Sequence, residues 1–95
     1  ANSKQIIKNK AKGEFTFVFP NATEKEVIKK NAANYTDHFT VSYNEKKHLV
    51  TIKMVKNDAS SRQIINRFLI SNKITQLEMD GQLYKVEEFY QKYLR

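Results

Sequence analysis

The chain has 95 residues, no cysteine, two glycines and a formal net charge of +7. This length accommodates one domain with a single core, and a chain without cysteine has neither disulfides nor thiolate-bound metal. Two glycines are too few for the glycine-rich loops that bind nucleotide phosphates, and every apolar run is far shorter than the roughly 18 residues that cross a bilayer.

The first twelve residues form a basic arm. They contain four of the seventeen basic residues and no acidic residue, so the remaining thirteen basic residues are nearly balanced by the ten acidic ones. Such a segment attracts phosphates or anionic lipid headgroups through a salt-sensitive field, and it is also typical of a solubilising tail. Its secondary structure is left unassigned. The candidate anion-binding residues are Lys4, Lys8, Lys10 and Lys12.

An alternating pattern predicts the first strand over 14–19, and Pro20 ends it. One side of this strand carries three phenylalanines, namely Phe15, Phe17 and Phe19. Thr23 followed by Glu26 is a capping-box pattern, and apolar residues at helical spacing then predict a helix over about 23–34.

Two segments with alternating apolar residues, separated by a polar turn at 44–47, predict a β-hairpin. Closing the turn at these residues sets the register and brings the apolar faces of both strands to the same side of the sheet. The predicted opposite pairs are Tyr43 with His48, Val41 with Val50, and Phe39 with Ile52.

The remaining sequence predicts a second helix, one or two short strands and a closing helix. The polar cluster at 57–60 offers several N-caps for a helix that ends at Asn72. Residues 74–79 read as a strand, and Asp80-Gly81 is a tight-turn signal after it. A partner strand over 82–85 is one interpretation of the next segment, and the beginning of the closing helix is the other.

The closing helix, over about 86–94, has an apolar stripe that we expect to dock on the rest of the domain. Aromatic stripes are more often core than interface, but a stripe that docks incompletely is a surface for a partner. The candidate partner-surface residues of the chain are Val18, Leu49, Tyr84, Tyr90 and Tyr93.

This order of elements predicts an α+β fold for residues 13–95. Two adjacent antiparallel strands between two crossover helices indicate the ferredoxin-like split βαβ arrangement (βαββαβ), an open-faced sandwich with a C-terminal helical extension. The phenylalanines of the first strand then belong under the helices, because exposing each ring costs about 1.5 to 3 kcal/mol. The open face has no aromatic ring on which an RNA base could stack.

Catalytic and metal-binding patterns are weak. His38 and His48 lie at opposite ends of the predicted hairpin and cannot share an ion. No serine has the context of a nucleophile elbow, and the carboxylates near helix starts are explained by the helix dipole. We therefore predict no enzymatic activity, no metal site and no cofactor.

The segment FTVSYNEKKHLVTIKM, between the two predicted helices, resembles the heavy-metal-associated domain of copper chaperones and transporting ATPases. The resemblance covers residues 14 to about 80 and implies a ferredoxin-like fold. Members of that family bind a soft metal through two cysteines in the loop after the first strand. At the corresponding place this chain has residues 19–25, which contain no cysteine, so the resemblance implies no metal site.

These observations favour a non-enzymatic binding or protein-interaction module, with an unidentified protein partner or a second copy of the chain. The alternative is an accessory that binds nucleic acid or an anionic lipid surface through the basic arm. Because the chain begins with Ala rather than Met, it is either an excerpt or the product of signal-peptide removal. We expect a periplasmic or secreted protein, with the cytoplasm as the alternative.

Overall fold

The computed structural model describes residues 3–19 and 24–95. In this part of the chain an α+β domain packs around one core. Its elements in chain order are α1 (Ser3–Lys12), β1 (Glu14–Val18), α2 (Lys25–Ala32), β2 (Phe39–Asn44), β3 (Leu49–Met54), α3 (Ala59–Ser71), β4 (Gln76–Met79), β5 (Gln82–Lys85) and α4 (Val86–Phe89). A 3-10 turn, Ala33–Tyr35, extends α2, and a π-helical turn, Tyr90–Leu94, extends α4.

The strands form two antiparallel sheets. The first has the order β1-β3-β2, and the second is the hairpin of β4 and β5. The predicted strand over 74–79 therefore pairs with its neighbour in sequence instead of joining the first sheet. Asp80 and Gly81 have φ angles of 52° and 82°, and two consecutive positive φ angles make the tight turn that favours a hairpin. Residues 82–85 are consequently a strand.

The phenylalanine side of β1 is buried, as predicted. Phe15, Phe17 and Phe19 are 0%, 7% and 1% exposed. Helices cover these rings: the ring centroid of Phe19 lies 6.1 Å from that of Phe68 in α3, and Phe17 lies 6.5 Å from Phe89 in α4. Because the rings fill the core, they are unavailable for stacking on nucleic-acid bases.

The β2–β3 hairpin keeps the predicted faces, but its predicted register is wrong by two residues. The loop spans Glu45 to His48, because His48 takes the positive φ of 56° that closes it. The Asn44 side-chain oxygen accepts a hydrogen bond from the Lys47 N–H at 3.2 Å within this loop. The observed opposite pairs are Tyr43 with Val50, Val41 with Ile52, and Phe39 with Met54.

Asp58 caps α3 and accepts a hydrogen bond from the Ser61 N–H at 2.8 Å. This bond is the main reason that the pKa of the Asp58 carboxyl group is lowered, with help from the Ser61 and Ser60 hydroxyl groups. The predicted cap of the preceding helix, Thr23, lies outside the described residues. Glu24 precedes α2 and its side chain makes no capping hydrogen bond.

The basic segment that sequence analysis left unassigned is the helix α1. Ile6 anchors it in the core with 7% exposure, whereas Ile7 is 64% exposed. The Asn57 side chain, which precedes α3, donates a hydrogen bond to the Lys10 carbonyl at 2.9 Å and holds the end of the helix. The chain then enters β1 through Gly13, whose φ is 73°. Residues of α1 thus belong to the same core as the remainder of the domain.

We expect Gly13→Ala to destabilise the domain more than Gly81→Ala. Both glycines have positive φ, so an added methyl group introduces backbone strain of about 1 kcal/mol or more at either position. At Gly13 the new Cβ would also lie 3.2 Å from the Asn57 side chain, whereas at Gly81 no described residue other than the adjacent ones comes within 4 Å. Urea denaturation of both variants measures the difference, and equal losses would contradict a close approach of Asn57.

Candidate functional site

β1 is an edge strand whose outer side is unpaired. Two hydrogen bonds that flank its ladder with β3, from Phe19 N–H to the His48 carbonyl (2.8 Å) and from Met54 N–H to the Gly13 carbonyl (2.7 Å), show that odd-numbered β1 residues bond to β3. Because backbone groups alternate between the two sides of an antiparallel strand, the even-numbered residues point outward. These outward residues are Glu14, Thr16 and Val18.

The outward backbone groups of Thr16 and Val18 have no hydrogen-bond partner among residues 3–19 and 24–95. The Thr16 side chain is occupied on the uncovered face of the sheet, where its hydroxyl lies 3.4 Å from that of Thr51. An unpaired edge of this kind presents donors and acceptors at the spacing of another strand.

A groove of about 780 Å³ runs beside this edge. Residues 16–19 of the β1 segment and residues 73–79, which include β4, line it together with side chains from α1 and α4. Its volume lies within the range of about 300–1,000 Å³ that is usual for binding clefts. The buried apolar residues along it are Ile6, Phe17, Phe19, Ile74, Met79 and Phe89.

Two of the five candidate partner-surface residues meet at this groove. Val18 lies opposite Leu49 in the β1–β3 ladder, and both line the groove from the uncovered face of the sheet. Val18 is 73% exposed and Leu49 is half-buried. The structure thus combines an exposed apolar pair with an unpaired strand edge.

The three candidate tyrosines have different environments. Tyr90 is 5% exposed, and its hydroxyl donates to the Ala59 carbonyl at 3.0 Å, so it belongs to the core. Tyr84 and Tyr93 are half-buried and meet edge to face, with ring centroids 5.7 Å apart. Lys92 lies 5.2 Å from the Tyr84 ring centroid and donates to its hydroxyl at 3.2 Å. The Tyr93 hydroxyl and then the Lys92 ammonium group lower the pKa of Tyr84.

The four candidate anion-binding lysines lie on different sides of α1. Lys4, Lys8 and Lys12 are exposed and recur at four-residue spacing, so they form a lysine stripe on the side of the helix away from Ile6. Lys10 is half-buried on another side. The structure therefore assembles three of the four lysines into one basic surface.

The two histidines are separate, as predicted. His38 precedes β2, and its Nδ1 lies 3.3 Å from the Ser61 hydroxyl. His48 follows β2, and its Nδ1 lies 3.4 Å from the Tyr43 hydroxyl. Ser61 is 3% exposed and His38 is half-buried, so the contact between them is partly buried. Across the described ranges, 3–19 and 24–95, no three His, Cys, Asp or Glu side chains converge to form a metal site.

Sequence reasoning missed Arg62, which is only 9% exposed. Its guanidinium group donates to the Leu94 carbonyl, to Asn57 Oδ1 at 2.6 Å and to the Arg95 carbonyl at 3.3 Å. Because Asn57 also binds the Lys10 carbonyl, this network joins α1, α3 and the π-helical turn. No local pattern signals the network, since two of the three acceptors are backbone carbonyls far along the chain.

Comparison of the chain with models of protein families, with curated proteins and with solved structures gave no match. In the part of the chain that the structure describes, every helix is too short or too polar to cross a membrane. The geometry of the groove beside β1 is therefore the main evidence that bears on function.

Proposed function

We propose that this protein is a non-enzymatic interaction module that binds an extended segment of a partner protein along β1. The observation that carries the proposal is that the unbonded backbone groups of Thr16 and Val18 lie beside an apolar groove. In strand addition the backbone hydrogen bonds supply affinity, and pockets for alternate side chains supply specificity.

The proposal includes a ferredoxin-like scaffold whose fourth-strand position is open. β1 and β2 flank β3 and are connected through α2, and this connection supports the split βαβ arrangement. In this arrangement the strand that follows α3 would pair with the outer edge of β1. Here β4 follows α3 and lines the groove beside that edge, but it is not hydrogen-bonded to β1. The resemblance to a heavy-metal-associated domain adds support for this scaffold only, because the cysteine ligands are missing. Export from the cytoplasm stays a prediction.

Val18→Pro tests the proposal directly. The Val18 N–H points away from β3, so proline removes an outward donor and leaves the β1–β3 ladder intact. We expect the variant to bind a fluorescein-labelled peptide of alternating valine and glutamate at least about tenfold more weakly, which corresponds to about 1.4 kcal/mol. Val18→Thr keeps the N–H and should bind like the wild type. Fluorescence anisotropy measures both affinities.

Val41→Pro is the matched control at the opposite edge of the sheet. Since even-numbered residues of β3 bond to β1, the Val41 backbone points outward from β2. This variant should bind the peptide normally, and circular dichroism verifies that both proline variants are folded. Undiminished peptide binding by a folded Val18→Pro variant would rule out strand addition at β1.

A second candidate function is attachment to polyanions, and the lysine stripe of α1 favours it. Removing residues 1–12 is a poor test, because Ile6 belongs to the core. We expect Lys8→Glu/Lys12→Glu to weaken binding to duplex DNA or to phosphatidylserine vesicles at low salt at least about tenfold. Lys29→Glu/Lys30→Glu makes the same charge change on exposed positions of α2. Equal losses from both pairs would show a dependence on net charge alone.

A further inference from the structure

β4 presents a second strand edge beside the groove. The Val86 N–H donates to the Thr75 carbonyl at 3.1 Å and continues the β4–β5 ladder. Because the backbone N–H and C=O groups of successive residues point to opposite sides of a strand, those of Gln76 point away from β5. In the described part of the chain, the outward backbone groups of Gln76 have no partner. Gln76 also lines the groove, and β4 is not bonded to β1.

We infer that the bound segment is an extended peptide with alternating apolar and acidic residues, and that it pairs with β1 and β4 at once. This inference rests on the proposed function. One inserted strand would join the two sheets in the order β2-β3-β1-peptide-β4-β5. Paired strands lie about 4.8 Å apart, and the inserted strand would bond to Thr16 and Val18 on one side and to Gln76 on the other.

Alternate side chains of the peptide face different surroundings. Successive side chains of a strand point to opposite faces, so one set of the peptide meets the apolar lining that includes Phe17, Met79 and Phe89. The other set lies on the uncovered face beside Thr16 and Val18, where water remains accessible. This arrangement selects apolar residues at every second position and polar residues between them.

Charge selects acidic residues for the polar positions. The side chains bordering the groove and the depression beside α1 include Lys12 and Lys73 but also Glu14 and Glu78, so the local charges balance. The net charge of +7 of the whole chain then favours a partner of negative charge through the long-range field. The same charge disfavours a second copy, because two such chains repel each other.

Amide hydrogen exchange of the ¹⁵N-labelled full chain, followed by NMR, tests the inference. The probes are the alternating valine–glutamate peptide, a valine–lysine peptide of equal length, and a peptide with the composition of the first but with its valines in one block. We expect the first peptide to slow exchange at Thr16, Val18 and Gln76 at least about tenfold, and to bind at least about tenfold more tightly than the other two.

The outcomes separate this inference from the proposed function. Protection of Thr16 and Val18 without Gln76 would overturn insertion between two strands and leave the β1 interaction standing. Equal affinity for the valine–lysine peptide would overturn the acidic preference. Protection of these amides in the free monomer would mean that β1 and β4 pair directly, which contradicts both. Protection that grows with protein concentration, together with a dimer mass in light scattering, would make a second copy the occupant and overturn the inference.

Gln76→Pro provides an independent check, because it removes the outward donor of β4 while the β5 ladder uses other residues. We expect this variant to bind the valine–glutamate peptide more weakly than Gln76→Ala. Hydrogen exchange of the Val18 amide in the same sample shows whether β1 still pairs with the peptide. Equal affinity of the two variants would overturn the contact with β4.

Discussion

Phe68→Ala should lower the free energy of unfolding by about 3 to 5 kcal/mol. Phe68 is 0% exposed, and its ring centroid lies 6.1 Å from Phe19, 6.3 Å from Tyr35 and 5.8 Å from Phe39. Its ring packs against Phe19 at the end of β1, against Phe39 of β2 and against Tyr35 in the turn after α2. Small domains have a total stability of about 5 to 15 kcal/mol, so this loss would leave a marginal fold.

Urea denaturation followed by circular dichroism measures the effect of Phe68→Ala. Phe68→Leu keeps an apolar side chain at the position and should lose less, because a smaller cavity remains. Val18→Ala changes a residue that is 73% exposed and should alter stability by less than about 0.5 kcal/mol. A loss for Phe68→Ala no larger than that for Val18→Ala would contradict the aromatic core.

Arg62→Met should lower the free energy of unfolding by about 3 kcal/mol. Methionine fills much of the same volume, but it leaves the Leu94 carbonyl without its donor, and a buried unsatisfied group costs about 1 to 3 kcal/mol. The hydrogen bond to the exposed Asn57 side chain is lost as well. Arg62→Lys should recover little of this stability, because an ammonium group cannot reproduce the planar fork of the guanidinium group.

Arg67→Met is the control for Arg62→Met, because Arg67 is exposed on the same helix. Denaturation measures both variants, and hydrogen exchange reports on the π-helical turn, where the Arg95 N–H donates to the Tyr90 carbonyl at 2.8 Å. We expect faster exchange at Arg95 only in the Arg62 variant. Equal stability of the two variants would show that the buried network contributes nothing.

The unpaired edge of β1 is also a hazard, because exposed strand edges pair indiscriminately with other chains. Glu14 is exposed at the beginning of β1, and the lysine stripe lies on the helix that precedes it. Charges placed in this way discourage aggregation without covering the edge. The edge thus has the combination of access and protection that strand addition requires.

The sequence by itself determined the features that depend on neighbours along the chain. Alternation placed Phe15, Phe17 and Phe19 on the buried side of β1, because exposing three rings is too costly. A helix cap within residues 57–60 and the Asp80-Gly81 turn were also readable, since a cap and a tight turn are set by residues within one turn of the chain. Which of the four residues caps α3 was left open by the sequence.

Features that depend on distant contacts were decided only by the tertiary structure. A shift of two residues in the β2–β3 register changes the pairs but keeps the apolar faces of both strands on the same side, so a pattern with a period of two cannot detect it. The docking of α1 relies on one buried side chain, Ile6, and on Asn57, far along the chain. The Arg62 network and the burial of Tyr90 likewise use carbonyls roughly thirty residues away.

The groove beside β1 illustrates the same division. The sequence indicated Val18 and Leu49 as exposed apolar residues, but it predicted a fourth strand over 74–79 in the first sheet. In the structure that segment pairs with β5 across a tight turn, which leaves the outer edge of β1 open. Local turn geometry and long-range sheet pairing compete for the same backbone groups, and only the folded chain shows which of the two prevails.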